Sequence, residues 1–72
     1  MKIDDAIKIA KENVTDVYAL TYLNAMPKAI EMYGTAGLQN QLEYALGNMG
    51  SWKGSLAREV KKTMKTWILR KL

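Results

Sequence analysis

The chain has 72 residues, a net charge of +4, and neither cysteine nor histidine. That length makes one small domain. The missing residue types exclude disulfide staples, thiol chemistry, imidazole acid–base chemistry and zinc held by nitrogen or sulfur.

The opening segment, MKIDDAIKIAKEN, carries acids where a secretory leader would have its apolar run. No apolar stretch approaches the ~18 residues of a membrane span. The expectation is a soluble, cytoplasmic chain that is not exported by the usual route. Ile3, Ala6, Ile7, Ala10 and Val14 recur at three- and four-residue steps, predicting a first helix over about 3–13. Asp4 and Asp5 lie in its first turn, where the helix dipole favours negative charge. Asn13 to Thr15 reads as a break, with Thr15 as the next N-cap.

The second helix is predicted over 16–33, with Ala19, Leu23, Met26, Ile30 and Tyr33 as its apolar stripe. It contains the only proline, Pro27, and a kink is expected there, because methionine at position 26 could not cap a fresh helix. Gly34 ends the helix as a left-handed C-cap. Thr35 is expected to cap a third helix over 36–49, with Leu38, Leu42, Ala45, Leu46 and Met49 inward. The cluster GNMGSWKGS is a strong breaker. Trp52 within it is expected to plug one end of the core, its indole N–H on a backbone carbonyl. Were it exposed, it would be a strong interface candidate. Ser51 or Ser55 then caps a last helix over 54–71. The expected architecture is all-α: a small four-helix bundle, mostly antiparallel, forming one domain over residues 1–72.

The carboxylates are Asp4, Asp5, Asp16, Glu12, Glu31, Glu43 and Glu59, and no two have a spacing that demands a shared site. Gly47, Gly50 and Gly54 follow a helix, not a strand, and lack the ending of a phosphate-binding loop. The residues therefore predict no enzyme, no cofactor and no metal. Asn24, Gln41 and Asn48 lie on or beside the apolar stripes, where structural hydrogen bonding is the expected role.

Charge supplies the one functional signal. Up to Glu43, four lysines face six acids, a net of −2; from Tyr44 onward, seven cations face only Glu59, a net of +6. In the last helix Leu56, Val60, Met64, Trp67 and Ile68 form the expected core face. Arg58, Lys61, Lys62 and Lys65 gather within about 100° on the other side. Leu69 and Leu72 fall outside the core arc. Arg58, Lys61, Lys62, Lys65 and Leu69 are therefore the candidate partner-binding residues. Lysine and arginine also suit the C-terminal half of any helix, so the same strip reads equally well as a solvated face. A membrane-surface role is disfavoured, since Trp67 and Met64 are needed by the core.

The run Tyr22-Leu23-Asn24-Ala25, Tyr33-Gly34, Gly37-Leu38, Gln41, Tyr44, Leu46, Asn48, Trp52, Gly54, Ala57 and Val60-Lys61 resembles a pattern in short helical proteins encoded by bacteriophages and prophages. The resemblance covers about two thirds of the chain, from the second helix onward; the first helix lies outside it. Those proteins have no assigned activity. The resemblance implies a phage-type origin and a bacterial host cytoplasm, and no residue-level function.

Two functions follow as expectations. One is a stoichiometric binder of a host or phage protein with an acidic surface: an inhibitor or adaptor, of which anti-defence proteins are one kind. The alternative is a nucleic-acid-binding module using the last helix. Its region SLAREV offers only Arg58 for base reading, and the preceding turn exceeds the ~3–4 residues of a helix-turn-helix. A homodimer through the last turn remains a third arrangement.

Overall fold

Four helices form in a computed structural model, which describes residues 1–70. Helix α1 spans Ile3–Asn13, as the periodicity predicts, with Asp4 and Asp5 in its first turn and Lys11 in its last. Asn13 closes it by donating from Nδ2 to the Ile9 carbonyl at 2.8 Å. Ala6 and Ala10 are fully buried, and Ile3, Ile7 and Ile9 pack against the core from its edge.

Helix α2 spans Val17–Tyr33 and is assigned as one helix through Pro27. Its N-cap is Asp16, not Thr15: the Asp16 carboxylate accepts the Ala19 amide at 3.0 Å. Both residue types can cap, and a one-residue register decides between them. Ala19, Leu23 and Met26 are buried, whereas Ile30 and Tyr33 are 42% and 67% exposed, which shortens the expected stripe. The backbone neighbours of α2 are α1 and α3, not α4.

Gly34 joins α2 to α3 alone, serving as C-cap of one and N-cap of the other. Its φ of 64° with ψ of −143° is a region that residues with a Cβ avoid. Its amide donates to the Ile30 carbonyl at 2.7 Å. Thr35 is consequently the first residue of α3, not its cap. Helix α3 spans Thr35–Gly47, two residues shorter at its end than the apolar pattern implies. The Asn48 and Met49 amides turn back onto the carbonyls of Ala45 and Leu46 in a tight final turn. Met49 thus stays buried although it has left the helix.

Gly54, at φ 115°, precedes α4, which spans Ser55–Leu69. No side chain caps it, so neither Ser51 nor Ser55 has the expected role. Ala57, Val60 and Met64 are buried, and Trp67 and Ile68 pack against them half-buried. Leu56 is 44% exposed, contrary to expectation. At ~100° per residue it lies about 70° from the centre of this arc, and Ala57 about 30°. Ala57 takes the inward place. Lys71 and Leu72, including the expected last residues of α4, lie outside the described residues.

The regular secondary structure of the described residues is entirely helical. Helix α1 packs on α2 and α4, and α3 packs on α2 and α4. Among the described residues, Leu23, Met26, Leu42, Met49, Val60 and Met64 are the largest fully buried side chains, and no polar or charged residue is buried with them. Methionine supplies three of those six, a side chain that conforms to irregular gaps. At one seam the backbones nearly touch. A Cβ on Gly37 would overlap the carbonyl oxygen of Ala29 and stand 2.7 Å from its carbonyl carbon.

Candidate partner-binding surface on helix four

Every turn of α4 that buries an apolar residue on one side presents a cation on the other. Arg58, Lys62 and Lys65 are exposed, and Leu69 is 78% exposed. These three, with Lys61 and Leu69, line a single open depression completed by Ser55, Glu59 and Thr66. All five candidate residues are therefore brought together on one surface.

They are not equivalent. Lys61 is half-buried, and its ammonium donates to the Trp52 carbonyl at 2.6 Å. It lines the depression while tethering the α3–α4 connection. Arg58, Lys62 and Lys65 make no such bond among the described residues. Among the described residues, no side-chain hydrogen bond pairs a cation with a carboxylate. Glu59 lies to the side, also lining a second depression with Asp5, Lys8 and Glu12 of α1. The Thr66 hydroxyl is taken up locally, donating to the Lys62 carbonyl at 3.0 Å.

The end of the strip is held by a residue that the periodicity does not single out. Gln39 of α3 donates from Nε2 to the carbonyls of Trp67 at 2.9 Å and Arg70 at 2.7 Å. Arg70 in turn stacks its guanidinium over the Trp67 ring, 4.2 Å from the centroid. Together these contacts fix the turn that carries Leu69. Of the amides expected to bond structurally, Asn48 does so locally, donating to the Tyr44 carbonyl at 2.9 Å. Asn24 is exposed, and Gln41 keeps a buried Oε1 with no partner among the described residues. Trp52 packs half-buried against the core, but its indole N–H makes no hydrogen bond among the described residues; its carbonyl accepts from Lys61.

No protein-family model, curated protein or solved structure matches this chain. What the surface can do must be argued from its own chemistry. It offers cationic donors on flexible stems and one bare leucine. Among the described residues, no group of three or more metal-binding side chains converges, and no helix is long and apolar enough to cross a membrane.

Proposed function

We propose that this chain is a non-enzymatic binding protein that makes stoichiometric contact with an acidic protein surface through the outer face of α4. The observation that carries this reading is the gathering of Arg58, Lys62 and Lys65 beside an exposed Leu69, around one depression. Cations alone would serve solubility. A leucine at the end of their row adds apolar area that a partner can dry and that solvent does not reward. The phage-type origin belongs to the same proposal, with a host or phage protein in the bacterial cytoplasm as partner and an inhibitor or adaptor role. So does the finer architecture, an antiparallel four-helix bundle with α2 bent near Pro27, which leaves this face of α4 for contact.

Nucleic acid is the second reading, favoured by the one-signed charge of the strip. Against it stands the connection between α3 and α4, residues 48–54, which is long for a helix-turn-helix. A symmetric dimer through this face would set the same cations against themselves, which electrostatics disfavours.

The test is capture from bacterial lysate, with and without nuclease, by the parent and by the variant Arg58→Glu/Lys62→Glu/Lys65→Glu. The expected result is a protein retained after nuclease and lost with the variant. Capture that nuclease abolishes would replace this reading with the second.

A further inference from the structure

The row Arg58, Lys62, Lys65, Leu69 advances by four, three and four residues. At ~100° and ~1.5 Å per residue, its members fall within about 60° of the circumference and span about 16 Å, three helical turns. The row is thus a narrow strip of helical period along α4. From this we propose that its occupant is an acidic amphipathic helix lying along α4. Its carboxylates would follow the i, i+4, i+7 spacing, and an apolar side chain one turn further would cover Leu69. The proposal rests on the protein-binding reading above and specifies the partner's form.

Three features carry it. The first is period: a second helix presents side chains at the same rise, so each cation meets a carboxylate at matching height. An extended strand shows one face every ~6.8 Å, and over three intervals it would overrun the row by about 4 Å. The second is Leu69. Among the described residues it has the highest exposure of the large apolar side chains, and it closes a cationic row without itself being able to meet a charge. A disordered acidic segment would satisfy the cations and leave this leucine wet. An amphipathic helix covers both, while the aliphatic stems of Lys62 and Lys65 supply further apolar contact beneath their charged heads.

The third feature is polarity across the row. Lys61 borders it on one side, held back by its bond to the Trp52 carbonyl, and Glu59 borders it on the other. A helix acidic on all sides would meet Glu59 unfavourably. One with its acids in a stripe, and a neutral or basic flank toward Glu59, would not. The surface therefore selects a stripe as well as a charge.

The experiment uses three Ala/Gln-rich peptides of about 18 residues, long enough for measurable helicity. The first carries three glutamates at i, i+4 and i+7 with leucine at i+11. The second has the same composition with the glutamates distributed around the helix, and the third replaces the leucine by glutamine. Binding of each to the full chain is followed by calorimetry and by amide shifts along α4, beside a duplex DNA of random sequence.

The striped peptide is expected to bind, and each of the other two to bind at least about tenfold more weakly. Leu69→Gln, which lies outside the core, should remove the advantage of the leucine and leave that of the stripe. Equal binding of striped and distributed peptides would overturn the helix proposal and leave the acidic-protein reading standing. No binding by the striped peptide overturns the proposal too. If, in addition, the duplex binds and the triple glutamate variant does not, the reading beneath it falls as well.

Discussion

The ammonium of Lys61 donates to the carbonyl of Trp52, nine residues earlier, across the start of α4. The bond joins a helix to the loop that precedes it, in a connection containing Gly50 and Gly54. Lys61→Met keeps the aliphatic stem and deletes the donor. It should cost about 1 kcal/mol, below the ~1.5–3 kcal/mol of a buried charged donor because the site is partly exposed. Urea unfolding would measure this, and amide exchange should quicken over residues 50–54. Unchanged exchange there would show that Trp52 is held by packing alone.

Gly37 and Gly47 both lie within α3 but face different neighbours. A Cβ at Gly37 meets the backbone of Ala29, which has no flexible end to move aside, whereas one at Gly47 meets nothing within 4 Å. Gly37→Ala should destabilise by about 2–3 kcal/mol through forced separation of α2 and α3. Gly47→Ala should be neutral or stabilise by up to about 1 kcal/mol, by restricting the unfolded chain. Thermal melts of the pair check this directly, and the order of their midpoints is the decisive outcome.

Leu42 and Leu56 look alike in sequence as members of apolar stripes. Leu42 is fully buried and Leu56 is 44% exposed. Leu42→Ala is expected to cost about 2–5 kcal/mol, enough to unfold much of so small a domain. Leu56→Ala should change stability by less than about 1 kcal/mol. Circular dichroism at 25 °C would separate the two.

Those two leucines mark what the sequence could and could not tell. Four helices were legible because Ala6, Leu23, Leu42 and Val60 sit in unbroken three- and four-residue patterns, and because Gly34 and the GNMGSWKGS cluster interrupt them. Helix ends were less so. Thr15 and Asp16 compete as caps by a single residue, and Gly34 and Gly54 displace Thr35 and Ser55 because backbone dihedrals, not hydroxyls, make those turns. The strip on α4 was legible as a charge pattern. Its tethers were not. Gln39 reaches carbonyls 28 and 31 residues away, and Lys61 curls back on a loop, contacts that exist only after folding.

Gln39 offers the last test. Gln39→Ala removes both bonds to the carbonyls at the end of α4, the groups that a helix C-terminus leaves unpaired. The expected cost is about 1 kcal/mol in urea unfolding. Amide exchange should accelerate from Trp67 to Arg70 and stay unchanged over α1. Should the striped acidic peptide bind, its affinity for this variant should fall although no contacting side chain has changed, since the turn bearing Leu69 would fray.

Three methionines, Met26, Met49 and Met64, lie in the core at 1% exposure or less, while Met1 and Met32 are more than half exposed. The division makes the chain its own recorder of oxidative exposure. Peroxide can reach the outer two thioethers in the native state, at little cost to packing. The inner three react only when the protein opens, and each sulfoxide formed there brings a strongly polar group into a core that, among the described residues, holds no buried polar or charged residue. Opening under oxidant would thus become one-way, and the rate at which the inner three are lost would report how often this small core comes apart.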